Sequence, residues 1–274
     1  MTNEELSCRA KHVRSNVIKM ITEAKSGHPG GSLSIVDMLL VLYFETMHID
    51  AKKPNLEERD RFVLSKGHAA PALYAILAER GYFPETELKK LRKLGAILQG
   101  HPDMKRVPGV DMSTGSLGQG LSVANGMALA ARLDHSERRI YVLAGDGEIQ
   151  EGQIWEAAMS SAQYKLDHLT LLVDHNGLQI DGTNDEVMKV NPIEDKFRAF
   201  GWNVISIHGH DYDEIRSALM LAKKTKGRPT AIVAETIKGK GVAFMENQVG
   251  WHGKAPSPEQ CAQALKELGE GGEA

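Results

Sequence analysis

Cysteine is almost missing from these 274 residues: Cys8 and Cys261 are the only two. That is too few for a disulfide framework or a zinc cluster, so a reducing cytoplasm is the expected compartment. Charge of one sign is also missing. A formal net charge of −3, with no dense block of lysine or arginine, gives no electrostatic reason to expect nucleic acid. Long apolar runs are absent too. Ile35 to Phe44 is short and carries Asp37, so no membrane span is expected. The opening MTNEELSCRAKHVRSNV is polar and contains acids, unlike a signal or transit peptide. There is no internal repeat and no low-complexity segment. What remains, 42% hydrophobic and 25% charged, is ordinary for a globular chain. One α/β domain over 1–268 is expected, with a flexible tail over 269–274.

The chain is organised around Arg138 to Asp181. Ile140 to Ala144 is a short apolar run rich in branched residues and reads as a buried strand that stops at Gly145-Asp146-Gly147. A helical pattern follows, with Trp155, Ala158, Ala162 and Leu166 on one face. A second apolar run, Leu169 to Val173, then ends at Asp174-His175-Asn176-Gly177. This is one βαβ crossover, whose two strand ends lie side by side at the same edge of a parallel sheet. Asp146 and Asn176 can therefore converge although 176 − 146 = 30 residues separate them. A carboxylate, an amide oxygen and a nearby carbonyl suit a hard divalent ion such as Mg²⁺. Read singly, Asp146 as a helix cap and Asn176-Gly177 as a turn explain the same residues.

Four histidines fall beside glycines. A helix is expected from residue 3 to about 24, after which Ser26-Gly27-His28-Pro29-Gly30-Gly31-Ser32 forbids continued helix and holds His28 on a loop. The buried helix Asp37 to Met47 and the strand from Arg59 to Leu64 lead to Ser65-Lys66-Gly67-His68. That places His68 where a strand meets the helix Ala69 to Arg80, a position suited to anions, or equally to helix capping. Glu85 to Gly95, rich in lysine and arginine, reads as a solvated helix. His101 opens a loop of about twenty residues that holds Gly115, Ser116, Leu117, Gly118 and Gly120, before a small-residue helix over Ser122 to Ala131. Its glycines permit a nest of backbone amides for a polar ligand. Alternation continues with a helix from Ile193 to Phe200, a strand from Trp202 to Ile207, a helix from Tyr212 to Lys223 and a strand from Thr230 to Thr236. His252 lies in a last Gly-rich loop, before a helix over Ser257 to Leu268. The expected architecture is a doubly wound, mostly parallel sheet with helices on both faces.

The spacing GDG, then asparagine thirty residues on, with helix and strand in register between, resembles the thiamine-diphosphate motif. More widely, SGHPGG at 26–31, SKGHA at 65–69, GHPD at 100–103, TGSLGQG at 114–120, GDG with EG at 145–152, DHNG at 174–177, and KGKG followed by WHG within 238–253 resemble a transketolase, in its amino-terminal, diphosphate-binding half. The resemblance implies that Asp146, Asn176 and the carbonyl of Leu178 hold Mg²⁺, with Ca²⁺ or Mn²⁺ as substitutes. It implies that His68, Gly115, Ser116, Leu117, Gly147, Glu148 and His252 contact thiamine diphosphate, and that His28, His101 and His252 face the sugar. Glu151 resembles a subunit-interface acid. His175 departs from the pattern, standing where many members have a second asparagine.

In the family, a glutamate of a pyrimidine-binding domain helps the cofactor's aminopyrimidine move a proton, and no residue here matches it. The resemblance therefore implies a separate carboxyl-terminal subunit, an α2β2 assembly, sugar phosphates as substrates, and near inactivity of this chain alone. Two other thiamine-diphosphate enzymes, deoxyxylulose-phosphate synthase and the α chain of 2-oxo acid dehydrogenases, are the rivals among enzymes. A non-catalytic cofactor-binding module is the rival of another class.

Overall fold

The computed structural model describes residues 1–270. Five strands form one wholly parallel sheet: β1 (Arg61–Leu64), β2 (Ile140–Gly145), β3 (Leu169–His175), β4 (Asn203–His208) and β5 (Thr230–Glu235), in spatial order β1-β2-β3-β5-β4. Both faces are covered, which is why the three inner strands read as nearly unbroken apolar runs. Successive side chains alternate between two cores. Phe62, Leu64, Tyr141, Leu143 and Leu172 face one core, and Val63, Ile140, Val142, Leu171 and Val173 face the other.

The helices in chain order are α1 (Asn3–Ala24), α2 (Pro29–Leu33), α3 (Val36–Val41), α4 (Ala70–Arg80), α5 (Gln119–Leu133), α6 (Gly152–Gln163), α7 (Asn184–Val187), α8 (Ile193–Ala199), α9 (Tyr212–Lys224) and α10 (Pro258–Glu267). Helices α1, α3, α4 and α9 supply the first core. Helices α5, α6 and α8 supply the second, so the sheet is doubly wound. Helix α1 starts at a capping box, Thr2 with Glu5, and buries the expected Leu6, Val13, Val17, Met20 and Ile21.

Several local expectations are corrected. Pro29 does not keep the glycine-rich stretch as loop; it opens the short α2, with His28 at the N-cap, because proline's fixed φ fits a first helical turn. The helix expected over 37–47 is α3 followed by a wider π turn, Leu42–Thr46. Residues 85–95 form no α-helix. A 3₁₀ turn, Glu85–Lys90, buries Leu88, and Leu91 is buried just beyond it. Left-handed Arg92 (φ 61°) and Gly95 (φ 78°) then end the element. Of the expected tail, 271–274 lies outside the described residues, while the N–H groups of Gly269 and Glu270 donate to Lys266 and Leu265. Among the described residues no helix is long and apolar enough to cross a membrane.

Candidate functional site

The sheet's carboxyl edge carries the site. β2 and β3 run in register to Gly145 beside Asp174, and Asp146 N–H donates to the Asp174 carbonyl at 3.2 Å. The Asp146 carboxylate then accepts Gly147 N–H on Oδ1 at 2.8 Å and Gly177 N–H on Oδ2 at 2.6 Å. The two strand-end turns are thus in direct contact. Asn176 is oriented by donating from Nδ2 to Asp174 at 2.9 Å, and its Oδ1 accepts Leu178 N–H at 3.2 Å. Gly177 supplies the positive φ of 75° that the turn needs.

Asp146, Gly147, Asn176 and Leu178 line a cavity of about 170 Å³, together with Lys66, His68, Leu117, Glu148, Lys238 and His252. Burial, then the neighbouring Asp174 charge, raises the Asp146 pKa. A buried carboxylate facing a second acid is a place where added positive charge is favoured. The Leu178 carbonyl already attracts a cation, since Lys238 Nζ donates to it at 3.0 Å. Among the described residues no group of three or more His, Cys, Asp or Glu is placed to hold a metal ion. A site of one carboxylate, one amide and one carbonyl instead offers only hard oxygens, which fits an ion whose remaining ligands come from phosphate and water.

Three of the four loop histidines meet. The ring centroids of His28 and His68 are 5.2 Å apart, those of His68 and His252 5.2 Å, and those of His28 and His252 5.5 Å. Burial, followed by nearby positive groups, lowers His28 and His252 to about 4 each and His68 well below the usual range. All three are neutral near pH 7. Lys238 Nζ donates to His252 Nδ1 at 3.0 Å, which places the His252 proton on Nε2. The Nδ1 of His28 is buried without a protein partner among the described residues. His101 makes no ring contact with the three; it is exposed and lies against Gly115, where an added Cβ would come within 3.1 Å of its ring. Gly115 and Ser116 line a neighbouring depression; of the three loop residues expected at the cofactor, only Leu117 reaches the cavity itself.

Glu148 belongs to the framework under the site. Buried, it accepts Ser65 Oγ–H at 2.6 Å, Gly118 N–H at 3.0 Å and Gly145 N–H at 3.1 Å. It thereby ties the ends of β1 and β2 to the start of α5. Sequence reasoning gave no role to Lys66 and Lys238. Lys66 is 1% exposed and donates to the Gly31 carbonyl at 2.7 Å and to Asp174 at 2.6 Å. Lys238 is 2% exposed, and burial lowers its pKa to about 8. Each lysine lies within three residues of the end of an apolar strand and precedes a glycine, a placement that by itself marks no role.

Residues 7–273 match a family described as transketolase, thiamine diphosphate binding domain. The chain is 50% identical over 264 residues to the 6-deoxy-6-sulfo-D-fructose transketolase subunit of Clostridium sp. (strain MSTE9), covering 96% of each. It is 42% identical over 270 residues to an apulose-4-phosphate transketolase subunit of Phocaeicola vulgatus, covering 98% of this chain and 96% of that one. The transketolase structure from Campylobacter jejuni superposes with a TM-score of 0.92 at 35% identity, covering 98% of this chain but 43% of the other. The chain belongs to the transketolase family, as a subunit of the split kind that corresponds to the amino-terminal, thiamine-diphosphate-binding domain.

Proposed function

We propose that this chain works with a carboxyl-terminal partner subunit, in a cytoplasmic α2β2 assembly, to move a two-carbon ketol unit from a ketose to an aldose. The observation that carries this reading is the contact of the Asp146 carboxylate with the 176–178 turn in a cavity that His68 and His252 also line, with His28 against both. Thiamine diphosphate, when bound, supplies the nucleophilic carbon and the electron sink. Asp146, Asn176 Oδ1 and the Leu178 carbonyl hold Mg²⁺, for which Ca²⁺ or Mn²⁺ can substitute. Gly147 packs on the diphosphate without a side chain in the way. His68 and His252 donate to diphosphate oxygens, and Lys66 and Lys238 add positive charge at that end. Leu117 in the cavity, with Gly115 and Ser116 in the depression beside it, would hold the cofactor by backbone atoms.

His28 and His101 meet the sugar's hydroxyls, and His252, whose Nδ1 is taken by Lys238, offers its Nε2–H where sugar and diphosphate meet. A neutral imidazole both donates and accepts, which a hydroxyl requires, whereas a protonated one only donates. Glu148 acts from beneath, holding the three segments that form the floor. The partner supplies the acid that helps the aminopyrimidine. The relatives' names carry a sulfonated and a phosphorylated sugar. The donor is accordingly taken as a ketose with a terminal anion, an ordinary sugar phosphate of the pentose phosphate pathway among them.

The test is ketol transfer by the purified chain, alone and mixed with its partner, with calorimetry of thiamine diphosphate binding in Mg²⁺. Transfer should be near background for the chain alone and rise ~10²–10⁴-fold on mixing. Asp146→Asn should weaken Mg²⁺-dependent cofactor binding by at least the roughly 10–100-fold that loss of an outer-shell partner costs. No cofactor binding by either sample would overturn the reading. Binding without ketol transfer would favour another thiamine-diphosphate enzyme or a non-catalytic cofactor-binding module.

A further inference from the structure

Asp37, on α3, is 3% exposed and collects three partners that the reaction outlined above leaves without a role. Arg14 donates to it from Nη1 at 3.2 Å and Nη2 at 2.6 Å, Tyr212 Oη–H at 3.0 Å, and His210 Nδ1–H at 2.7 Å. An ionised carboxylate only accepts, so His210 carries its proton on Nδ1 and its Nε2 is left as an acceptor. That acceptor takes the N–H of Ile237 at 2.9 Å. The next residue is Lys238, whose ammonium meets the Leu178 carbonyl and His252 Nδ1 at 3.0 Å each.

The turn after β5 is clasped at several points. Gly239 N–H donates to the Gly30 carbonyl at 3.0 Å, and Asn247 N–H donates to the Lys238 carbonyl at 2.9 Å. At its far end a Cβ on Gly241 would come within 3.1 Å of Arg14 Cδ. Arg14 therefore supports the turn from below while also holding Asp37. The network reaches from α1 and α3, through the start of α9, to the backbone that aims Lys238.

We propose that Asp37 and His210 are positioning residues for Lys238: by fixing one imidazole tautomer they fix the Ile237 N–H, and so the direction in which the ammonium points into the cavity. The functional consequence rests on the reading of that cavity as the cofactor site. The positioning itself does not.

Two substitutions separate positioning from mere support of helix packing. In His210→Gln the amide reaches the place of Nε2 and accepts the Ile237 N–H. In His210→Asn the amide stays at the place of Nδ1, keeps the Asp37 bond and falls short of Ile237. Tyr212→Phe removes an Asp37 partner without touching the turn. The readouts on the full chain are the His252 tautomer by ¹⁵N NMR without cofactor, the thiamine diphosphate affinity in Mg²⁺, and the melting temperature. His252 should stay in the Nε2–H form in the wild type, His210→Gln and Tyr212→Phe, and become a mixture in His210→Asn. Cofactor affinity should fall about tenfold in His210→Asn relative to His210→Gln. An unchanged His252 tautomer and affinity in a folded His210→Asn would overturn the proposal, as would a larger loss in His210→Gln. If no variant and not even the wild type binds cofactor, the cofactor reading fails while the tautomer comparison still decides the positioning claim.

Discussion

His28 and His252 carry a pH dependence whose sign follows from their burial. Each sits at about 4 in the folded chain against an ordinary 6.5. Between those values the unfolded chain binds protons that the folded chain refuses. Their contribution is therefore fully present above about pH 6.5 and is lost as pH falls toward 4. Asp37 behaves differently. Burial alone would raise it, but Arg14 and His210 hold it at about 2, so its contribution stays intact throughout that window. Burial raises Asp146 and Glu148, which oppose the histidines. The urea midpoint of the metal-free chain should drop between pH 7.5 and 5, and drop less in His28→Asn. An equal or steeper drop in that variant would remove the histidines as the cause.

The loop that enters α5 is fixed by close approach. Gly118, with φ 84°, caps the helix, and a Cβ on Gly120 would stand 2.5 Å from Ser65 Cβ and 2.8 Å from Ser65 Cα. Gly120→Ala therefore pushes α5 away from the end of β1 and strains the Glu148 bonds to Ser65 and Gly118. The expected cost is about 1–3 kcal/mol, seen as a melting temperature roughly 2–10 °C lower. An unchanged melting temperature would show that the loop moves freely. The βαβ unit of β2, α6 and β3 was legible because its evidence is local: two apolar runs, two polar turns and a helix length that matches the crossover. Burial of Lys66 was not legible. It depends on Asp174, 108 positions away, and nothing in the period of β1 marks the second residue beyond its end as interior. The solvated helix expected over 85–95 failed for a related reason, since its charge count hid the spacing of Leu88 and Leu91.

Over the whole molecule, apolar groups lie open on the side where the cavity opens. Ile180 is 65% exposed and Leu117 39%, and both line it. Met188, 60% exposed, is nearby, its carbonyl accepting from Gln150 at 3.0 Å. A carboxyl-terminal partner that completes the cofactor site would cover this side. Ile180→Asp should weaken association with the partner by about tenfold or more while leaving the isolated chain's stability within about 0.5 kcal/mol, as measured by sedimentation and melting. An unchanged association constant would place the interface elsewhere. The strand order has its own outcome during synthesis. β5 enters between β3 and β4, both of which are made before it. A nascent chain held on the ribosome short of residue 230 therefore presents two open sheet edges, and the backbone that carries Lys238 has nowhere to dock. Chaperone capture should be strongest for such stalled chains and fall once residues 230–235 have emerged from the ribosome and the last strand closes the gap.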